Sequence, residues 1–352
     1  MRSFWSAAEI MGLLLILTFW AAGCGRTEPV QKNVMVMDTV VTLTASGEKA
    51  NDAVEESIKR LKEIDEMASA KGEHSDLKKL AAAAGNGAWI SLHPEVFHML
   101  AVSQEYSRLS DGAWDVTTGP LVELWGIGTE QAKVPTAEEL AKAKAKVGWQ
   151  KLELNPETQC ARLREAGMSL DLGGIAKGFA ADEVKKIYEK YGVKNGLINL
   201  GSSSLYALGK NAKGESWRVG IRHPRSEDKD SRLAVVALSD GALSTSGDYE
   251  RFFERDGVRY HHILDPRTGR PADNGAVSDT IVAEGSLPDA GMISDLLTTT
   301  VFVLGPEAGR DFLEKLPPAV RGMVCDHKLR LWTAHGFQEC LQQVQQDFIL
   351  AK

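Results

Sequence analysis

The irregular order of strand-like and helix-like segments constrains the fold of this 352-residue chain most strongly. Runs rich in Val, Thr and other strand-forming residues occupy 34–45, 195–208, 217–222, 233–238 and 277–283. Helical spacing of apolar residues marks 51–68 and 288–305. Pro94 suits the first turn of another helix, and Thr136 with Glu139 predicts a capping box for a helix over 137–147. A doubly wound parallel sheet requires regular alternation of strand and helix. We therefore predict an α+β fold, a two-lobed single body with mixed or antiparallel sheets and packed helices.

The composition is that of a globular protein with at least one large core. Hydrophobic residues make up 43% of the chain and charged residues 25%. The formal net charge is −7, the wrong sign for a protein that binds phosphate backbones along a basic surface. We expect no nucleic-acid partner.

The N-terminus has the pattern of an export signal. The apolar run 11–22 is too short to span a bilayer and ends in small residues, which predicts a signal peptide over 1–23. Ala21-Ala22-Gly23-Cys24 resembles the lipobox of bacterial lipoproteins. We expect Cys24 to be lipidated, 24–33 to be a polar tether, and 34–352 to be a catalytic domain anchored by lipid to the extracytoplasmic face of a membrane. The alternative is a plain cleaved signal with an incidental cysteine.

A glycine-rich junction at Leu170–Gly178 is the first candidate site. A strand-like run meets Gly173 and Gly174, and a helical stripe of apolar residues follows. The amides of a first helical turn attract phosphate oxygens, and Lys177 adds a cation nearby. The alternative is a tight turn with a solvated lysine.

A second candidate lies in the helical segment 288–305. Asp295 and Thr299 are four residues apart and share one helix face. Their oxygens suit Mg²⁺, which also retains substrate phosphate oxygens in its shell. Alternatively, Thr299 hydrogen-bonds to its own helix and Asp295 faces water.

Two further segments carry candidate chemistry. The adjacent His261 and His262 precede the turn sequence Asp-Pro-Arg-Thr-Gly at 265–269 and offer a group that can carry a proton near neutral pH. Trp114 and Trp125 lie in a loop segment that could flank a planar ring, although core packing explains them equally well.

Taken in order, these segments resemble the ApbE family of flavin transferases, also called FAD:protein FMN transferases. The resemblance covers essentially the whole chain after Cys24. It rests on collinear motifs at 37–39, 112–115, 119–126, 171–178, 199–201, 244–249, 262–269 and 294–299. Asp38 departs from the pattern, because the family usually has glycine there.

The resemblance implies an ApbE or T-fold-like body and assigns roles to individual residues. Mg²⁺ would be held by Asp295, Thr299 and the backbone carbonyl of Gly174. His262 would assist deprotonation of the acceptor hydroxyl. FAD would lie against the following residues: Met37, Ala113, Trp114, Asp115, Asp171, Lys177 and Leu264.

The implied reaction is attack by a threonine hydroxyl of a target protein on the FMN-side phosphorus of FAD. It would leave FMN on exported or membrane redox proteins and release AMP. Water in place of the acceptor would make the chain an FAD hydrolase. A lipoprotein that only captures flavin is a further alternative.

A serine enzyme of the penicillin-binding type is a rival interpretation. Ser75-Asp-Leu-Lys78 and Arg267-Thr-Gly269 approximate two motifs of that class, but Ser110-Asp-Gly112 lacks the asparagine of the third.

Overall fold

The computed structural model describes residues 28–70, 72, 74–201, 203–228 and 230–351. The predicted signal peptide and the predicted lipidation of Cys24 lie outside these residues. Among the described residues, no helix combines the length and the apolar character needed to cross a membrane.

Helices and strands are interleaved along the described chain. The α-helices are α1 (Ala50–Ala68), α2 (Asp76–Ala83), α3 (Pro94–Leu109), α4 (Gly119–Trp125), α5 (Ala137–Lys144), α6 (Ala176–Lys190), α7 (Ala290–Leu304) and α8 (Pro306–Leu313). Short 3₁₀ turns occupy Val116–Thr118, Trp149–Lys151 and Phe337–Cys340. The strands are β1 (Val30–Val36), β2 (Thr39–Ser46), β3 (Ile90–Ser91), β4 (Leu152–Asn155), β5 (Cys160–Leu163), β6 (Asn195–Leu200), β7 (Ser204–Leu208), β8 (Trp217–Arg222), β9 (Arg232–Leu238), β10 (Gly241–Gly247), β11 (Phe252–Arg255), β12 (Val258–His261), β13 (Leu264–Asp265), β14 (Arg270–Pro271), β15 (Ala276–Glu284), β16 (Val320–Asp326), β17 (Arg330–Ala334), β18 (Leu341–Gln342) and β19 (Ile349–Leu350).

A large mixed sheet forms the centre of the molecule. Its strand order is β1-β2-β6-β7-β10-β15-β16-β17-β19, and neighbours are antiparallel except for the parallel pair β17 and β19. Helices α1, α6 and α7 pack on one face. The sheet β18-β9-β8 contributes to a second apolar cluster with β7, β15 and β16. The α+β prediction, with mixed and antiparallel sheets, is confirmed.

Local sequence signals explain several element boundaries. Thr136 and Glu139 form the predicted capping box at the start of α5, although the helix ends at Lys144 and not at 147. Pro94 occupies the first turn of α3 as predicted. Helix α7 is buried on almost every side, because it lies between α6, α8 and the central sheet.

The segment predicted as one strand over 34–45 is instead a hairpin. Strand β1 begins at Val30, within the predicted tether, and pairs with β2 through Val36 and Thr39. Met37 and Asp38 have φ values of 56° and 55°, the left-handed pair required by a type I′ turn. No glycine marks the turn, so the sequence did not reveal it.

The strand predicted over 195–208 is also two strands, joined at Gly201. Gly201 has a φ of 68°, and a Cβ there would lie 2.1 Å from the Thr39 hydroxyl oxygen. The β1–β2 and β6–β7 turns therefore meet at one end of the sheet. The strand-like run before Gly173 forms no strand, because the Asp171 N–H donates to the Val116 carbonyl at 2.8 Å and not to a sheet neighbour.

Two glycines let α6 and α7 cross in close contact. A Cβ at Gly178 would lie 2.2 Å from the Gly291 carbonyl oxygen, and one at Gly291 would lie 2.4 Å from the Gly178 carbonyl oxygen. The buried carboxylate of Asp182, on α6, accepts the N–H groups of Gly291 and Met292 at 2.8 and 2.9 Å. Burial raises the pKa of Asp182 to about 7. Asp182 thus caps α7 and fixes the start of α7 against α6.

Candidate active site

The crossing of α6 and α7 pairs one amide of α6 with a side chain of α7. Helix α6 begins at Ala176, so Gly178 lies in its first turn and the Gly178 N–H has no acceptor within the helix. It donates to Asp295 Oδ2 at 2.9 Å. No hydrogen bond to the Gly174 carbonyl is found in the described part of the chain. This oxygen is therefore available to a ligand at the N-terminus of α6.

Asp295 is almost fully buried, with 5% of its surface exposed, and does not face water. Its other oxygen, Oδ1, accepts a hydrogen bond from the Ser204 hydroxyl at 2.8 Å. Each carboxylate oxygen has a further lone pair, so both can still ligate a cation. The amide of Gly178 and the hydroxyl of Ser204 fix the orientation of the carboxylate.

Thr299 differs from its two neighbours. The hydroxyls of Thr298 and Thr300 donate to the carbonyls of Asp295 and Leu296 in their own helix, at 2.7 and 2.8 Å. The Thr299 hydroxyl makes no such bond in the described structure, and its oxygen lies 3.0 Å from the position that a Cβ on Gly174 would take. Gly174 and Thr299 are therefore brought together.

The donor set at this point consists of oxygens: one carboxylate, one hydroxyl and one carbonyl. This chemistry suits Mg²⁺, which takes oxygen ligands and completes its shell with water or substrate phosphate. Among the described residues, no cluster of three or more His, Cys, Asp or Glu side chains could hold a metal ion. A metal here would rely on the backbone and on the substrate.

The loop Ala113-Trp114-Asp115 forms the wall behind Gly174. The six-membered ring of Trp114 lies 3.0 Å from the position of a Gly174 Cβ, and Ala113 is fully buried. Asp115 accepts hydrogen bonds from the Thr117 N–H and hydroxyl, both at 2.7 Å, and from the Trp149 N–H at 2.9 Å. Burial raises the pKa of Asp115. These side chains shape the wall, and Asp115 stabilises its loop.

Asp171 and Lys177 bracket the turn before α6. Asp171 Oδ1 accepts the Gly173 N–H at 2.6 Å, and Lys177 Nζ donates to the Gly173 carbonyl at 3.1 Å. Lys177 therefore places a positive charge beside the N-terminus of α6, where the helix dipole also favours an anion.

His262 and His261 have different environments. The His261 Nε2–H donates to the Ala272 carbonyl at 3.0 Å, and its ring packs edge-on against Phe302, a structural arrangement. The His262 ring nitrogen Nδ1 donates to the Arg251 carbonyl at 3.2 Å, which leaves Nε2 with a lone pair. Desolvation, followed by the charge of Arg251, lowers the pKa of His262 to about 3. His262 is therefore a neutral proton acceptor at neutral pH.

Met37 and Leu264, the remaining residues predicted to contact FAD, belong to two other parts of the fold. Met37 is half-buried in the β1–β2 turn, and its N–H donates to Asp65 Oδ2 at 3.0 Å. Leu264 is buried in a small apolar cluster with Trp125, whose Nε1–H donates to the Gly269 carbonyl at 2.8 Å. That bond holds the predicted 265–269 turn against α4.

Sequence reasoning missed two residues that organise the site. Ser204 follows the glycine turn after β6, and only the long-range fold brings it to Asp295. Asp182 lies within α6. Its position on the apolar face of the helix was the only sign in the sequence that its carboxylate has a buried partner.

Comparison with known proteins identifies the family. The model of the ApbE family matches residues 37–324. The chain belongs to the ApbE family. This ApbE family member is 33% identical over 278 residues to the FAD:protein FMN transferase of Haemophilus influenzae, with 78% of each chain covered. It is 33% identical over 329 residues to that of Treponema pallidum, covering 87% of this chain and 88% of the relative.

Solved structures of ApbE proteins share its fold. The ApbE protein from Thermotoga maritima superposes with a TM-score of 0.79 at 29% identity, covering 90% of this chain and 100% of the other. The flavin transferase ApbE from Vibrio cholerae gives a TM-score of 0.79 at 28% identity, covering 89% and 99%.

Adjacent threonines provide a matched test of the oxygen site. If Mg²⁺ binds at these oxygens, Thr299→Val should raise the Mg²⁺ concentration needed for half-maximal binding or activity by roughly tenfold, because the hydroxyl would be one of the ligands. Thr300→Val loses only a hydrogen bond within its helix and keeps the Mg²⁺ dependence. Calorimetric Mg²⁺ titration in the presence of FAD measures both variants, and equal Mg²⁺ dependence in the two would contradict the site.

Proposed function

We propose that this ApbE family member transfers FMN from FAD to a threonine hydroxyl of a target protein and releases AMP, in a Mg²⁺-dependent reaction. The observation that carries the proposal is the unoccupied hydrogen-bonding capacity of the Gly174 carbonyl, beside Asp295 and Thr299. The names of the relatives support the reaction class.

Asp295, Thr299 and the Gly174 carbonyl would hold the metal. When bound, Mg²⁺ supplies neutralisation of the phosphate charge and positions the pyrophosphate. The buried carboxylate is already oriented by Gly178 and Ser204, so little reorganisation is needed on binding. The Lys177 ammonium and the first-turn amides of α6 would add positive potential on the same side.

FAD would lie at the end of the sheet where the turns at Met37 and Gly201 meet, close to the Ser204 hydroxyl that donates to Asp295. The predicted contacts at Met37, Asp171, Lys177, Leu264 and the 113–115 loop belong to this proposal. The wall formed by Trp114 would limit the access of water behind Gly174.

His262 would receive the proton of the acceptor threonine at Nε2, because its Nδ1–H already donates to the Arg251 carbonyl. The threonine oxygen then bonds to the FMN-side phosphorus, and the bond from that phosphorus to the bridging oxygen breaks. The bridging oxygen leaves with AMP. The negative charge of bound pyrophosphate would raise the pKa of His262 towards a value useful for a base.

The transferase claim is tested with FAD, Mg²⁺ and a flavin-accepting protein. We expect AMP release together with a fluorescent acceptor band that survives denaturing electrophoresis, and loss of both in Asp295→Ala. AMP and free FMN without a labelled acceptor would indicate hydrolysis. FAD binding with neither product would indicate capture alone, and either outcome contradicts the transferase proposal.

We further propose that the chain is exported and lipid-anchored through Cys24. Support comes from the apolar run 11–22 followed by the lipobox-like Ala21-Ala22-Gly23-Cys24. In cells, the wild-type protein should fractionate with membranes and incorporate labelled fatty acid, whereas Cys24→Ser should not incorporate the label. Equal labelling of the two proteins would refute the anchor.

A further inference from the structure

Arg251 holds the candidate base through its backbone. Its carbonyl oxygen accepts both the His262 N–H at 3.1 Å and the Nδ1–H of the same residue at 3.2 Å. Two bonds to one oxygen fix the imidazole relative to residue 251. Any substitution at this position keeps the carbonyl, so the role of the side chain can be tested separately.

The Arg251 side chain is exposed, and its positive charge acts on the His262 ring. Its stem runs beside Gly128, with Cδ 3.4 Å from the position of a Gly128 Cβ. Within the described part of the chain, its guanidinium makes no hydrogen bond or ion pair. In contrast, Arg225 forms two 2.7 Å bonds to Asp248.

The surroundings of His262 are positively charged. Arg251, His261 and Lys177 each disfavour protonation of the ring and lower the pKa of His262. Lys177 in turn lies at the α6 turn, through its bond to the Gly173 carbonyl. The charges of Arg251 and Lys177 thus both reach the imidazole, and Lys177 connects these surroundings with the turn that carries the Gly174 carbonyl. These positive groups suit a polyanionic ligand, because each phosphate oxygen can accept hydrogen bonds from a cation.

We propose that the Arg251 guanidinium binds the pyrophosphate oxygens of FAD and neutralises the charge that develops on the departing AMP. This inference rests on the proposed function. An arginine suits the task, since its planar fork donates two hydrogen bonds to one phosphate and remains charged at all relevant pH values. Arg251 therefore has two separable roles: its carbonyl positions His262, and its side chain binds substrate.

Ligand binding gives the first test. Arg251→Met should weaken FAD binding roughly tenfold or more, because a charge-assisted hydrogen bond is lost. Riboflavin, which has no phosphate, should bind both proteins equally. Arg251→Lys should fall between them, and Arg255→Met, the same change at the far end of the β11–β12 hairpin, should match the wild type. Equal weakening of riboflavin, or unchanged FAD binding, would overturn the proposal.

The pH profile of transfer gives an independent readout. Removing a positive neighbour raises the pKa of His262, so the acid limb of the Arg251→Met profile should move to higher pH. Arg255→Met should leave the limb in place. An unmoved acid limb in Arg251→Met would contradict the placement of the charge beside the base.

Failure of the transferase proposal and failure of the Arg251 proposal give different experimental results. If the wild type gives no AMP and no labelled acceptor, the transferase function is wrong. If the wild type is active and Arg251→Met matches it in FAD affinity and pH profile, only the role of Arg251 is wrong.

Discussion

The site depends on the hydrogen bond from the Gly178 amide to Asp295. This bond joins residues 117 positions apart and gives a first-turn amide of α6 an acceptor on α7. It is possible because Gly178 and Gly291 remove the side chains that would separate α6 from α7. Close helix packing thus brings the buried Asp295 carboxylate to the first turn of α6, just after Gly174. The Asp182 cap holds the start of α7 in the same register.

Hydroxyl pairs between α7 and the central sheet set the rotation of α7. Ser244 lies 2.9 Å from Ser294, and Ser246 donates to Thr298 at the same distance. Because a buried hydroxyl without a partner costs free energy, these contacts favour one face of α7 towards the sheet. Thr299 then faces Gly174. The hydroxyl pairs that join α7 to the sheet therefore also position the oxygen site.

Local patterns in the sequence predicted much of this arrangement. The four-residue spacing placed Asp295 and Thr299 on one face, and the turn at 265–269 was evident from its Pro and Gly. The hairpin turn at Met37 and Asp38 was not, since neither residue is glycine and the left-handed backbone is imposed by strand pairing. The bonds that Asp295 accepts from Ser204 and from the Gly178 amide join residues distant in sequence, which periodicity cannot reveal. The identity of the transferred group came from family resemblance and not from spacing.

A crystal soaked with FAD and Mn²⁺ tests the central claim most directly, because Mn²⁺ replaces Mg²⁺ in oxygen sites and can be located by its anomalous scattering. The account predicts one strong peak bonded to the Gly174 carbonyl, an Asp295 oxygen and the Thr299 hydroxyl, with a phosphate oxygen of FAD in its shell. A peak elsewhere, or bound FAD with no metal between these three oxygens, would contradict it.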